Sequence, residues 1–277
     1  MQRKFLLIAM LSLPCVCKSF AQQKKYLVPE QKAKEIVDRV LKTSPVIDGH
    51  NDLFIHYMDC KTCPKDLKDY RLDTIAKGHT DIPKMRKGKV GGMLMNVFGS
   101  DSVSYIKAWD LLYRMEDMYK SDLKVVTSSK EMRMVMNEGK IGFLPILEGA
   151  KRLQDDPALL RVYYKLGLRS VTFAYSTNGL ADGSDDTARH NGISSIGREM
   201  VKEMNRLGVL TDMSHISAKA MNDILDITKA PVIFSHSNAR ALCNVNRNVP
   251  DDVLLRLKKN GGIIMLTFVP YFCKEGA

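Results

Sequence analysis

Ligand-type side chains stand at the ends of four apolar runs in this 277-residue sequence. His50 and Asp52 close the first run, Glu148 closes the second, and His215 and His236 close two others. Three of the six histidines therefore share this placement. If the runs are parallel strands of an α/β barrel, their carboxyl ends lie on the face where active sites are built. We therefore expect these five side chains to converge in one pocket.

The residue types at these positions suit metal-assisted hydrolysis. Residues two apart on a strand project to the same side, about 6.6 Å apart along it, so His50 and Asp52 can reach one ion. Imidazole nitrogen and carboxylate oxygen are ligands that suit Zn²⁺. Glu148 can bridge two ions, and His215 and His236 can complete the second. Two ions about 3.5–4 Å apart would hold and deprotonate a water between them and polarise a carbonyl group.

Any one of these histidines, taken alone, is explained as well by an ordinary core or loop position. Five ligand-type residues at the ends of four strands favour the metal centre. The other three histidines, His56, His79 and His190, have no such placement, and we assign them ordinary structural roles.

The elements that must position these side chains alternate along the chain from Ser44 onward. Helical spacing of apolar residues predicts helices over Val103–Tyr119 and around Met200–Leu207. Ser217 is a predicted helix cap, and Pro250 with two aspartates opens a further helix. Strands are predicted at Pro45–His50, Val90–Phe98, Ile141–Glu148, Ser170–Tyr175, Val209–His215, Val232–His236 and Gly262–Val269.

Nearly continuous apolar strands that alternate with helices predict an α/β fold with a parallel sheet covered by helices. Seven strands fit either a doubly wound sheet or a (β/α)₈ TIM-type barrel. The glycine-rich fingerprint of a dinucleotide-binding sheet does not follow the first strand, and the sequence contains no Walker loop. Pro145 lacks a backbone donor, so we expect a bulge at this position of the third strand.

Composition excludes several classes of protein. The chain is 45% hydrophobic and 26% charged, with a mean hydropathy of −0.18, as in globular domains and unlike collagen, coiled coils or multi-span membrane proteins. The net charge is +11. The most basic segment, residues 84–89, has no interleaved aromatic residues, so we interpret it as a solvated turn and expect no nucleic-acid partner.

The first 21 residues have the pattern of a cleaved secretory signal. Arg3 and Lys4 precede an apolar run over Phe5–Cys17, which is too short to span a bilayer, and Ser19-Phe20-Ala21 follows. We expect a secreted or periplasmic protein, and the sequence does not indicate a further membrane attachment. Residues 22–277 are expected to form a single domain. In that compartment, Cys60 and Cys63 are expected to form a local disulfide.

Five segments together resemble the membrane (renal) dipeptidases and their bacterial relatives. The resemblance implies a (β/α)₈ barrel with two zinc ions, one on His50 and Asp52, the other on His215 and His236, with Glu148 bridging. It also implies that Arg247 holds the terminal carboxylate of a dipeptide, as the guanidinium fork can. The matching segments are Val46–Leu53, Leu147–Gly149, Glu203–Leu210, Pro231–Ser237 and Arg247–Asp252.

The sequence departs from this family in two places. Tyr175 stands where the family commonly has a substrate-contacting histidine, and a phenol can donate a hydrogen bond but does not titrate near neutrality. The family's eighth strand, with an aspartate that contacts the bridging water and the substrate amine, is expected beyond Ala277. We therefore expect a barrel that lacks its last strand and helix, and we assign no catalytic residue within the chain.

Three functions are compatible with these residues. The leading hypothesis is a zinc dipeptidase that binds a small dipeptide, and a homodimer is compatible with the sequence. The second is a catalytically inactive, metal-binding or structural relative with the same fold. The third is a metal phosphoesterase, which predicts several basic residues directed at the substrate, whereas only Arg247 is found.

Overall fold

The computed structural model describes residues 28–153 and 155–276, so the predicted signal segment lies outside the described residues. Among the described residues, those up to Arg39 and those from Val40 onward form two compact units. Helix α1 (Glu30–Thr43) has no buried residue, and Lys34 forms an ion pair with Asp38 one turn later at 2.6 Å. Within the described ranges, no helix is long and apolar enough to cross a membrane.

A parallel sheet forms the centre of the second unit. The strands pair in the order β1-β2-β4-β5-β6-β7-β8, and every pair is parallel. Strand β3 pairs with the first half of β4, and β5 pairs with the second half of the same strand. The strands are β1 (Val46–Asn51), β2 (Val90–Asn96), β3 (Leu123–Val125), β4 (Ile141–Glu148), β5 (Ser170–Thr172), β6 (Leu210–Asp212), β7 (Ile233–Phe234) and β8 (Ile263–Ile264).

Helices connect the successive strands, and side-chain caps begin several of them. Asp101 accepts hydrogen bonds from the backbone N–H groups of Val103 and Ser104, and Ser217 caps its helix as predicted. The helices are α2 (Ile55–Met58), α3 (Ile82–Lys87), α4 (Ser102–Met118), α5 (Ser129–Asn137), α6 (Pro157–Leu166), α7 (Ser195–Leu207), α8 (Ala218–Ile227), α9 (Asp251–Asn260) and α10 (Pro270–Cys273), with 3₁₀ turns at Leu67–Tyr70 and Ala150–Leu153.

The sheet curls so that its strands face one another. Leu94 of β2, Ile146 of β4 and Ile233 of β7 form a small buried cluster of their own inside the curl. At Gly49 of β1, a Cβ atom would lie 2.3 Å from the carbonyl oxygen of Ser235, just after β7, so only glycine fits there. The fold is therefore α/β, a partial TIM-type barrel, as predicted. No pairing joins β1 to β8 within the described residues.

The strands toward the end of the chain are shorter than predicted. The apolar run Gly262–Val269 contributes only Ile263–Ile264 to the sheet, and Val232–His236 contributes only Ile233–Phe234. His215 and His236 therefore lie in the segments that follow their strands. The structure also contains β3, which the sequence interpretation missed because its three residues lack a recognisable apolar run.

The expected bulge at Pro145 is wrong. Met95 and Pro145 are paired in regular register, and β4 is continuous from Ile141 to Glu148. Pro145 falls between the segment of β4 that pairs with β3 and the segment that pairs with β5. Its missing N–H therefore removes no ladder hydrogen bond. The predicted Cys60–Cys63 disulfide is present.

Candidate metal centre

The carboxyl ends of β1, β4, β6 and β7 bring the five predicted ligand residues together. His50 belongs to β1 and Asp52 follows its end, while Glu148 is the last residue of β4. His215 follows β6 by three residues and His236 follows β7 by two. Parallel strands place these ends side by side on one edge of the sheet, which accounts for the convergence.

Glu148 lies at the centre of the group. Its Oε1 atom is 3.5 Å from Nε2 of His50, 3.1 Å from Nε2 of His215 and 3.4 Å from Nε2 of His236. Asp52 closes the group on one side, with Oδ1 3.3 Å from His50 Nε2. The two remaining imidazoles approach each other to 2.9 Å between their Nε2 atoms. Three imidazole nitrogens thus surround one carboxylate oxygen.

This donor set fits a divalent metal ion. Ligand atoms of His50, Glu148 and His236 lie within 4.8 Å of one another. Nitrogen and carboxylate oxygen donors in such a group are those that Zn²⁺ takes in proteins. The remaining histidines lie apart from the group. His56 stacks on Tyr70, and the ring of His190 hydrogen-bonds to the carbonyl oxygen of Asn178.

Asn96, the last residue of β2, holds both carboxylates of the centre. Its buried amide group donates to Asp52 Oδ1 at 2.9 Å and to Glu148 Oε2 at 3.3 Å, and its oxygen accepts from the Glu148 backbone N–H. Sequence reasoning missed this residue. The signal that could have revealed it is a single polar residue within the apolar run Val90–Phe98.

Burial and hydrogen bonding shift the pKa values of His50 and Glu148 in opposite directions. Burial acts to lower the pKa of His50, but hydrogen bonds with Asp52 and Glu148 outweigh it and raise that pKa to about 10. Burial acts to raise the pKa of Glu148, but the three surrounding imidazoles outweigh it and hold the pKa far below its usual range. Glu148 is therefore an anion, and the neighbouring His50 ring carries a proton and a positive charge. A divalent cation that binds to both side chains can replace this proton.

The other two histidines are shifted in the opposite direction. Burial lowers the pKa of His236 to about 4 and also lowers the pKa of His215. The positive charge of Arg247, which lines the same cavity as the two rings, contributes to both shifts. Both imidazoles are therefore neutral at pH 7, the form that binds metal ions.

The backbone at His215 is in the left-handed region, with φ at +73°. A residue other than glycine adopts this conformation at a cost in free energy, and such residues cluster at functional sites. Here the carbonyl oxygen of His215 accepts a hydrogen bond from the Ser184 N–H at 2.7 Å, which stabilises the turn. The turn directs the imidazole toward Glu148.

Arg247 is buried beside the centre with part of its fork unpaired. Its Nη1 donates to Ser237 Oγ at 2.7 Å, and the ring of Phe272 lies 5.4 Å from the guanidinium carbon. The Nε and Nη2 atoms are buried and have no hydrogen-bond partner among the described residues. Burial lowers the pKa of this group to about 10, so it remains charged at neutral pH. Two parallel donors of this kind match a carboxylate.

A cavity of about 1550 Å³ opens over the centre and Arg247. Tyr175 lines it with 62% of its surface exposed, and its ring centroid lies 4.7 Å from that of His215. The phenol is therefore close enough to the centre to contact a bound substrate. The cavity is large enough for a small peptide.

One wall of the cavity is a long loop, residues 173–194, between β5 and α7. Buried Asp182 organises it, because its carboxylate accepts hydrogen bonds from the backbone N–H groups of Arg189, His190 and Gly192 at 2.6–3.0 Å. These bonds outweigh burial and lower the pKa of Asp182. The conformation of the loop is therefore stabilised by hydrogen bonds to one of its own side chains.

The family to which this chain belongs follows from its sequence pattern. The pattern of the membrane dipeptidases (peptidase family M19) matches residues 34–277, which is most of the chain. The chain therefore belongs to the membrane dipeptidase family, as the resemblance indicated.

Solved structures agree on the fold. A probable dipeptidase, PvdM, from Pseudomonas aeruginosa superimposes with a TM-score of 0.79 at 22% identity, covering 89% of this chain and 65% of that one. A metallopeptidase from Rhodobacter sphaeroides, bound to a phosphinate mimic of the dipeptide L-Ala-D-Ala, gives 0.74 at 24% identity, covering 83% and 76%. A family M19 dipeptidase gives 0.74 at 25% identity, covering 82% and 73%. The chain thus spans somewhat less than two thirds of the length of the first of these structures.

Proposed function

We propose that this chain is a zinc-dependent dipeptidase. In this proposal His50 and Asp52 hold one ion, His215 and His236 hold a second, and Glu148 bridges the two. The supporting observation is that three imidazole nitrogens approach one Glu148 oxygen within 3.5 Å. Family membership supports dipeptidase activity.

The chemistry divides between the ions and the protein. When bound, a pair of zinc ions supplies an activated water and polarises the peptide carbonyl group. Asn96 keeps Asp52 and Glu148 in place through its amide donors. Tyr175, beside His215 at the edge of the cavity, can donate a hydrogen bond to the developing oxyanion.

Arg247 selects the carboxyl-terminal end of the substrate. The unpaired Nε and Nη2 donors bind the free carboxylate of a short peptide, and Arg247 lines the same cavity as the two histidines. Only the last peptide bond of a substrate lies one residue from a free carboxylate, and in a dipeptide this is the single peptide bond. The site therefore accepts dipeptides, and the dipeptide mimic bound to the Rhodobacter sphaeroides structure agrees with this substrate class.

Zinc titration and turnover test the proposal together. We expect the purified full chain to bind zinc and to hydrolyse simple dipeptides, and His236→Ala to abolish turnover. Folded protein that retains less than one zinc per chain, and takes up none on titration, would contradict the metal site. Bound zinc without turnover of any dipeptide would instead identify a catalytically inactive relative.

We further propose that the protein is exported to the periplasm or secreted. The support is the signal-like pattern of residues 1–21 and the disulfide between Cys60 and Cys63, a bond typical of oxidising compartments. Cell fractionation and amino-terminal sequencing of the mature protein test this. We expect a mature chain that begins near Gln22, and an intact amino terminus in the cytoplasmic fraction would contradict export.

A further inference from the structure

Asp212, the last residue of β6, is a fully buried carboxylate with four hydrogen-bond donors around it. Its Oδ1 accepts from the backbone N–H groups of Ser214 and Ser235, each at 3.0 Å. Its Oδ2 accepts from the hydroxyl groups of Thr172 at 2.6 Å and Ser235 at 2.5 Å. An ionised carboxylate, which only accepts hydrogen bonds, satisfies this arrangement completely.

The hydroxyl group of Ser235 lies between this carboxylate and a predicted metal ligand. Its Oγ atom is 2.5 Å from Asp212 Oδ2 and 2.7 Å from His236 Nδ1. A serine hydroxyl has one proton to donate, and here it goes to the carboxylate. The oxygen must then accept a hydrogen bond from His236, so Nδ1 of that ring carries the proton.

We infer that Asp212, acting through Ser235, fixes His236 in the tautomer whose unprotonated Nε2 is presented to the metal site. The Nε2 atom of this ring is directed toward Glu148 and His215, at 3.4 Å and 2.9 Å. Asp212 and Ser235 are therefore positioning residues. The inference builds on the proposed metal site and does not depend on dipeptide hydrolysis.

The ring of His50, another predicted metal ligand, can be compared with that of His236. The Nδ1 atom of His50 is also buried but has no hydrogen-bond partner within the described part of the chain. The Nδ1 side of the His50 ring is therefore not oriented by an acceptor there, whereas the Nδ1 side of His236 is. Imidazole rings that bind metals commonly donate the other N–H to a carboxylate or another acceptor, which orients the ring and raises the basicity of the ligand nitrogen.

Nitrogen NMR of the full, metal-free chain with ¹⁵N-labelled histidine reads the tautomer directly. The resonances lost in His236→Gln assign the ring. At neutral pH we expect a protonated Nδ1 and an unprotonated Nε2 in the unaltered chain. Ser235→Ala should give a mixture of the two tautomers, while Ser235→Thr, which retains a hydroxyl, should preserve the original one. Ser170→Ala, a buried serine on the neighbouring strand β5, is the matched control.

Asp212→Asn is the variant that best separates a positioning role of Asp212 from a purely structural one. An amide nitrogen in place of Oδ2 would donate to Ser235, so the serine proton would turn toward His236 and favour the tautomer protonated at Nε2. A purely structural role for Asp212 predicts no such inversion. A protonated Nε2 in the unaltered chain, or an unchanged tautomer in both Ser235→Ala and Asp212→Asn, would overturn the inference.

Zinc affinity, measured by competition with a chromogenic chelator, provides the second readout. We expect Ser235→Ala and Asp212→Asn to bind zinc about 10- to 100-fold more weakly than the unaltered chain, and Ser170→Ala to bind it equally well. Equal affinity in all four proteins would contradict the positioning role. If the unaltered chain takes up no zinc, the metal site itself fails, and the NMR result still decides the tautomer.

Discussion

Asn96 shows how a neutral residue can control the geometry of a charged site. Its amide group donates to the carboxylates of Asp52 and Glu148, which come from two other strands. Without these donors the two carboxylates would repel each other and reorient. The position of both predicted ligands therefore depends on one side chain that cannot itself be an anionic ligand.

We predict that Asn96→Ala weakens zinc binding by about 10- to 100-fold, because the two carboxylates lose their common donor. Isothermal titration with zinc measures the change. Asn222→Ala, which removes an amide on helix α8 outside the cavity, is the control and should leave zinc binding unchanged. Equal zinc affinity in the two variants would show that Asn96 is dispensable.

Arg247→Lys should retain the positive charge but lose the paired N–H donors of the guanidinium group. We predict that kcat/KM for dipeptides falls by about 10- to 100-fold, because charged hydrogen bonds to the carboxylate are lost. For the same peptides with an amidated carboxyl terminus, activity should be low in both proteins and nearly independent of the substitution.

The control for this prediction is Arg240→Lys. Arg240 donates to the backbone carbonyl groups of Asn246 and Asn248 and does not line the cavity. Its replacement should leave the preference for a free carboxylate unchanged. A parallel loss of activity on both kinds of peptide in Arg247→Lys would argue against the anchoring role.

Residue types made part of this centre predictable. His50, Asp52 and Glu148 are chemically distinctive at strand ends, and the structure brings them together with His215 and His236. Asn96 and Ser235 are neutral and common, and their roles depend on partners in other strands. Such roles follow only from the register between strands, which the sequence does not display.

At the level of elements, the sequence predicted which segments are strands better than where those strands end. The run Gly262–Val269 is apolar except for Thr267, but only Ile263–Ile264 pair with β7. A strand persists only where a neighbour supplies backbone hydrogen bonds, and apolar character alone does not determine this. The start of the helix after Ser217 was predicted closely, because a capping residue is a local signal.

Helix α7 carries an ion-pair network that makes stability depend on pH. Glu203 accepts from Arg206 one turn later at 2.7 Å and from Arg161 of α6 at 3.0 Å. The hydrogen bond from Arg206 is the main cause that lowers the pKa of Glu203 to about 2. A folded-state pKa below the unfolded value of about 4.3 stabilises the native state above that value, and the benefit disappears as pH falls toward 2.

We therefore predict that Glu203→Gln lowers the free energy of unfolding at pH 6, and that its difference from the unaltered chain shrinks as pH falls below about 4. Urea unfolding at a series of pH values measures this. Glu199→Gln removes the exposed pair with Lys202 on the same helix and should have little effect at any pH. A difference between Glu203→Gln and the unaltered chain that does not vary with pH would contradict the assignment.

For the whole molecule, the most consequential feature is the pair of sheet edges at β1 and β8. Apolar side chains are exposed along both, and those of Leu266 and Phe268, just after β8, have 67% and 92% of their surface exposed. Unpaired strand edges with exposed apolar residues promote association between molecules.

We predict that the 277-residue chain self-associates with rising concentration, and that Leu266→Lys with Phe268→Lys reduces this association. Light scattering over a concentration series measures it. Leu242→Lys is the control, because Leu242 is also largely exposed, at 84%, but belongs to no strand. If Leu242→Lys suppresses association as strongly as the double substitution, the edge after β8 is not responsible.

The buried carboxylate of Asp182 also has a kinetic consequence. Because it binds three backbone amides of the loop over residues 173–194, those amides should exchange their protons with solvent as slowly as amides within helices. A loop held in this way forms a fixed wall and does not act as a gate that opens on the microsecond timescale. Substrates would then reach the centre at a rate governed by diffusion and charge, with no waiting time for the protein to open.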